Sequence, residues 1–327
     1  MPGFINDTGL IYDEFIRLLH VNWIRGDAPR GGTLSKAKAK KQTKRNPPRA
    51  GSPWFAWLLI AIGVAGVVFF VRTVPMTQSP PNHAGNATAA ISDQLSASFQ
   101  ENEQFTANVT KELEEYGFEV DIFQGNNITV DFYRRLPTRG YRLIIFRAHS
   151  GILEQDGEVV PRTVLFTNED YSESKYALEQ VYGQLTMGGA CQGCPMMFGI
   201  TPEFVRAQNV WGQASDMEGV FDDTVIIMMG CSGIALLDMA EAFIDKGASA
   251  YLAWDRSVEL YYVDEATPYL IHQLCSEELT IGEAVDDTMD IVGPDPNYGA
   301  ALQYYYDPAS HNADKTLEEL MEMREGK

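Results

Sequence analysis

The sequence predicts an α/β domain built on a mostly parallel sheet with helices on both faces, preceded by one transmembrane helix. Three observations carry this expectation. Apolar runs such as "LIIF" (143–146), "TVIIMM" (224–229) and "ASAYLAW" (248–254) alternate with stretches of helical period, as strands buried on both faces do. The segment "WFAWLLIAIGVAGVVFFV", Trp54 to Val71, is eighteen residues long and uncharged. At 1.5 Å per residue it extends about 27 Å, close to the roughly 30 Å of a bilayer core. The charge is divided about this segment: residues 1–53 hold ten Lys/Arg and four Asp/Glu, a net of +6, so the remainder of a chain of net −20 carries −26.

The positive-inside rule places the basic segment 1–53 in the cytoplasm and everything after residue 71 outside a cell membrane crossed once. Residues 8–24 have apolar positions at helical spacing, and 25–53 read as a basic linker. Residues 72–86, with Pro75, Pro80, Pro81 and Gly85, read as a stalk. Residues 87–327 form the outer domain. Its acidity disfavours nucleic acid, whose phosphates it would repel. Four cysteines in 327 residues are too few for a disulfide scaffold.

Within the outer domain "TAAISDQL" is a first strand ending near Asp93. "NEQFTANVTKELEEYG" is a helix stopped by Gly117, "FEVDIF" a second strand, and "TVDFYRRLP" a short helix ended by Pro137. "YRLIIFRAHSG" is a buried strand, and "TVLFT" a shorter one in a hairpin. The stretch 170–222 is too long for a plain connector. Then come the strand "TVIIMMGCSG", the amphipathic helix "IALLDMAEAFIDKG" closed by Gly247, and the strand "ASAYLAW". Helices are expected at 263–275 and 280–291, and an aromatic strand-like run and a charged helix close the chain.

Two strands end in reactive groups: one at His149-Ser150-Gly151, the other at Gly230-Cys231-Ser232-Gly233. In open α/β sheets active groups collect at the carboxyl ends of strands. Parallel neighbours would bring an imidazole and a thiol together, the pairing that makes a cysteine nucleophilic. Backbone N–H groups at Ser150, Gly151 and Gly230-Cys231 would face the oxyanion of an attacked carbonyl. A helix starting near Ile234 would point its positive end at Cys231.

An apolar strand ending in His-Ser/Gly-Gly, followed by a later apolar strand ending in Gly/Ala-Cys, resembles the clan CD cysteine peptidases. That clan includes caspases, gingipains, clostripains, legumains and separases, and "MMGCSG" is most similar to the separase version. "AEAFIDKGASAYLAWDRSV" resembles the helix–strand unit after the nucleophile in several members. The resemblance spans roughly residues 87–290. It implies a caspase-like fold, His149 as general base and acid, Cys231 as nucleophile, an acyl-enzyme thioester and no cofactor. Ser150 stands where Gly is common, and its N–H remains able to serve the oxyanion. The resemblance also implies a charged residue at the end of the first strand that reads the P1 side chain. Asp93 falls there, with Trp254 and Asp255 as further substrate-binding candidates and Asp216 or Glu218 as other acids within reach. An acidic pocket selects Arg or Lys.

Other groups read as structural. Cys191 and Cys194 form a CxxC pair with no second ligand pair for a metal; a local disulfide or two free thiols fits. Cys275 reads as a packed helix residue. His83, His272 and His311 have no evident partner in the sequence, and His20 lies before the span. "NEDYSES" and "VGPDPN" lack the spacing of a calcium loop. The expectation is a membrane-anchored endopeptidase acting on protein or peptide. The competing readings are a catalytically silent surface-binding domain of the same fold and a cysteine transpeptidase.

Overall fold

A computed structural model describes residues 87–155, 158–189, 194–207 and 217–325. The expected amphipathic helix at 8–24, the span 54–71, the stalk 72–86, His20, His83, Cys191 and Asp216 lie outside the described residues. Among the described residues no helix is long and apolar enough to cross a membrane.

The main sheet contains β1 (Thr88–Asp93), β2 (Glu119–Gln124), β3 (Leu143–Arg147), β8 (Thr224–Met228), β9 (Ala248–Trp254) and β10 (Leu302–Tyr305). The strand order is β10-β9-β8-β3-β1-β2; neighbours run parallel except β10, which is antiparallel to β9. The protein is thus α/β with a mostly parallel sheet. Alternate side chains of each central strand enter separate cores, as a two-residue period demands. Ile91, Ile145, Ile227 and Leu252 pack under α2 (Glu103–Tyr116), α7 (Leu260–Cys275) and α8 (Ile281–Ile291). Ala90, Ile144, Ile226 and Tyr251 pack on the other face under α3 (Val130–Arg135), α5 (Pro202–Arg206) and α6 (Asp238–Asp245). Both faces are covered, so these strands need no polar alternation.

Helix boundaries follow local chemistry. Asn102 caps α2 by accepting the Phe105 N–H (3.0 Å), and Gly117 ends it in the left-handed region (φ 116°), where lack of a Cβ removes the penalty. Thr280 and Glu283 form a reciprocal capping box on α8. The expected short helix ended by Pro137 is α3, continued by a 3₁₀ turn at Leu136–Arg139 that Pro137 opens.

The stretch 170–222 holds structure of its own. After β4 (Ser150–Gln155) and β5 (Glu158–Asp170) come α4 (Ala177–Val181), β6 (Leu185–Gly188) and β7 (Met197–Ile200), followed by α5. These strands make a second, antiparallel sheet in the order β4-β5-β7-β6. "TVLFT" is therefore the centre of a thirteen-residue strand rather than a short one. The chain closes with β10 and the charged helix α9 (Leu317–Glu325).

The helix after Cys231 starts later than expected. α6 begins at Asp238 instead of near Ile234. Ser232 adopts a left-handed backbone (φ 52°), and the N–H groups of Ser232 and Ile234 donate to Arg256 (2.8 Å) and Trp254 (3.2 Å) carbonyls. The turn is thereby docked onto β9 and the segment after it. A helix dipole acts within its first turn, so the expected field on Cys231 is absent.

Candidate active site

β3 and β8 are parallel neighbours, paired from Leu143↔Val225 to Phe146↔Met228. Their tips therefore leave the sheet side by side. The Met229 N–H donates to the Phe146 carbonyl (2.9 Å), extending the pairing one step. Beyond it, the Ser150 hydroxyl donates to the Cys231 carbonyl at 2.7 Å. Gly230 makes this approach possible. A Cβ there would run into Ser150 Oγ and the Ala148 carbonyl and lie 3.0 Å from Ser150 N. The glycine before the cysteine is space for the other strand tip.

His149 is held from both sides of its peptide. Its N–H donates to Gln94 Oε1 (2.9 Å), and its carbonyl accepts from the Phe166 N–H (3.0 Å). Gln94, at the end of β1, is in turn fixed by Asn168 Oδ1 (2.7 Å). The ring stands edge-on between Phe99 and Phe166, with centroids 6.0 and 6.1 Å away. Burial, with the Arg147 cation close by, pushes the imidazole down to about 4, so it is neutral at physiological pH.

Cys231 is half-buried. Its sulfur is seated on Val258, accepting from the Val258 N–H (3.4 Å) and facing the Val258 carbonyl (3.6 Å). Burial pushes the thiol above its usual range, and the negative charges of Glu259 and Asp295 push the same way. These two acids are surroundings of the thiol that the sequence did not point to. Glu259 accepts from Asn297 Nδ2 (3.1 Å) and donates its own N–H to Asp295 Oδ2 (2.8 Å). Asp295 Oδ1 accepts the N–H groups of Asn297 (2.8 Å) and Tyr298 (2.7 Å), which folds the "VGPDPN" turn back on itself near Cys231. The only sequence signal for them was the Asp-Pro-Asn turn, whose pairing with Glu259 spans 36 residues.

Thiol and imidazole are both neutral in this state. In the free protein, alkylation of Cys231 by iodoacetamide should keep rising about tenfold per pH unit, with no plateau between pH 5 and 8, because burial holds the thiol above its usual range. A plateau in that window, measured on the Cys231 peptide by mass spectrometry, would reveal a preformed thiolate–imidazolium pair and contradict these surroundings.

Several expected substrate contacts are placed elsewhere. Asp93 is fully buried; Oδ1 accepts from Arg147 Nη1 (2.8 Å) and the Ser96 N–H (3.0 Å). Its carboxylate is spent on Arg147 instead of facing a P1 side chain. Trp254 is 1% exposed and packs edge-on against Tyr262, 5.5 Å away; the even register of β9 turns it into the core. Asp255 Oδ1 accepts from the Ala301 N–H (2.8 Å), fastening the end of β9 to the start of β10. Glu218 is exposed. Gly151 is also reassigned. The Phe166–His149 bond makes Ser150↔Leu165 a non-hydrogen-bonded pair, so the Gly151 N–H is committed to Val164 within the β4–β5 ladder. The Ser150 N–H points away from β5, on the Gly230 side.

Cys194 is disulfide-bonded, whereas Cys231 and Cys275 are free. Cys275 is a packed residue of α7. His272 does have partners: it bridges α7 to α2 through Glu112 Oε2 (3.2 Å), while His311 sits 3.6 Å from Asp314. Glu169 of "NEDYSES" receives Lys175 Nζ and the Val130 N–H (3.0 Å).

Fold and site together define an α/β protein with a histidine and a cysteine on adjacent tips of a mostly parallel sheet, a polar side chain joining the two tips. Neither a scan of the chain against protein-family models nor a search of curated proteins gave a match.

Proposed function

We propose that the chain is a membrane-anchored, outward-facing cysteine endopeptidase of caspase-like fold, cleaving after basic residues. The observation that carries the reading is the direct junction of the two strand tips through Ser150 and Cys231. It fits the strand order, with its antiparallel β10 at one edge.

In this mechanism the substrate carbonyl enters beside the backbone N–H groups of Ser150 and Cys231, which receive the developing oxyanion. The thiol rotates off Val258, gives its proton to the neutral His149 ring, and the sulfur attacks the carbonyl carbon. His149 then protonates the departing amine as the C–N bond breaks, leaving a thioester. Water attacks the thioester while His149 takes its proton, the C–S bond breaks, and proton return restores the thiol. The imidazole is neutral and can accept, but burial weakens it as a base and holds the thiol proton, so the transfer is uphill in the free protein and substrate binding has to offset it.

For P1 selection Glu259, itself buried but at 7% exposure less enclosed than Asp93, takes that role, with Asp295 fully buried behind it. Burial does most to hold the thiol proton in place; a cationic side chain there offsets the part that Glu259 and Asp295 add, so a basic substrate helps to activate its own nucleophile. In a peptide library varied at P1, cleavage should follow Arg and Lys. Glu259→Gln should lower kcat/KM for these substrates about 10- to 100-fold, the range for losing a charged hydrogen-bond partner. Cleavage confined to Asp at P1 would overturn the specificity.

A further inference from the structure

We infer that Ser150 is a positioning residue for the nucleophile: its hydroxyl clamps the peptide that follows Cys231 and holds thiol and imidazole in one frame. The inference rests on Cys231 being the nucleophile proposed above.

The Cys231–Ser232 peptide is gripped at both ends. Its carbonyl accepts from Ser150 Oγ (2.7 Å), and its N–H donates to the Arg256 carbonyl (2.8 Å). Ser150 is 5% exposed, so little water competes for that carbonyl. Directly after this peptide Ser232 sits at φ 52°, a conformation that disfavours residues with a Cβ; the Ile234 N–H on the Trp254 carbonyl holds the far side (3.2 Å). Such backbone persists only where its surroundings over-determine it, and these hydrogen bonds do so. The side chain that makes the clamp is adjacent to His149 in sequence, so nucleophile and base move together or not at all. Gly230 leaves the room that the hydroxyl occupies. Alanine or glycine at 150 would keep the backbone N–H that faces the oxyanion and lose only the clamp, which separates the two roles.

The test compares Ser150→Ala and Ser150→Thr with the unsubstituted full chain. The readouts are turnover of an Arg-P1 peptide and the iodoacetamide alkylation rates of Cys231 and Cys275. Ser150→Ala should lower kcat about 10- to 100-fold with KM within about twofold, since small misplacement of a reacting group costs that much. The freed thiol should at the same time be alkylated about fivefold faster or more, the scale of a modest loss of local order, with Cys275 unchanged. Ser150→Thr, which keeps the hydroxyl, should restore both values to near the unsubstituted ones. Unchanged kcat and unchanged Cys231 alkylation in Ser150→Ala would overturn the inference. So would a parallel rise at buried Cys275, which would mean general loosening. Alkylation needs no turnover: an unsubstituted chain that cleaves nothing sinks the peptidase reading, while the Cys231 rates still decide for or against the clamp.

Discussion

Replacing Cys231 by alanine should abolish peptide cleavage, lowering kcat by at least about 10⁴-fold, as removal of a nucleophile does in enzymes that form an acyl intermediate. His149→Ala should fall to a similar level, and the double variant no further, because the proposed mechanism uses the two groups in one step. Both replacements leave the fold intact: Cys231 is only half-buried at a turn, and His149 is held by its backbone as well as its ring. Turnover of an Arg-P1 peptide, with melting curves as the control, checks this. Residual activity above a tenth in Cys231→Ala would remove the thiol mechanism. An unsubstituted chain that labels its free cysteines alike and cleaves nothing would favour the silent binding domain. Capture of the acyl group by an added amine in place of water would favour the transpeptidase.

The largest effect on stability is expected at Arg147. Its guanidinium is fully enclosed and donates to Asp264 Oδ1 and Oδ2 (both 2.8 Å), Asp93 Oδ1 (2.8 Å) and the Gln100 carbonyl (2.9 Å). One side chain thus ties β1, β3, α7 and the segment that carries Phe99 onto the His149 ring. Arg147→Met would leave two carboxylates beside each other without their counter-charge, at about 3 to 5 kcal/mol, the usual loss when one partner of a buried pair is removed. Urea unfolding measures it. The pH dependence gives a second check. Burial raises Asp93 above the ordinary carboxylate range even with Arg147 present, so the folded state binds this proton more tightly than the unfolded chain. Stability tied to it is present at low pH and is lost as pH rises through the folded value. Arg147 lowers Asp93, so its loss raises the carboxyl further in the folded variant, and the deficit of Arg147→Met should be larger at pH 8 than at pH 5. A deficit below about 1 kcal/mol, typical of an exposed pair, would show that water reaches the cluster.

Much of the fold was legible because it rests on local patterns. β3, β8 and β9 were visible as apolar runs since both faces of those strands are buried. α2 was visible from its period and from Gly117, whose left-handed backbone ends the helix. The second sheet was not legible. β6 and β7 have four residues each; they pair with one another, and β7 also pairs with β5, across a stretch of irregular chain, so neither carries enough periodicity to be read alone. The delayed start of α6 was hidden for a different reason. "IALLD" has helical composition, but the N–H of its first residue, Ile234, and that of Ser232 just before it find the Trp254 and Arg256 carbonyls, some twenty residues further on.

The site divides along the same line. The sequence by itself determined that a histidine and a cysteine stand at the ends of two buried strands with glycine beside them, because strand burial and glycine placement are written in adjacent residues. Only the tertiary structure decided that those strands are neighbours, that Asp93 is spent on Arg147, that Trp254 faces the core, and that Glu259 and Asp295 lie beside the thiol. Each of these depends on which distant segments share a hydrogen bond or a charge. Residues 36, 54 or 81 positions apart carry no local trace of that pairing.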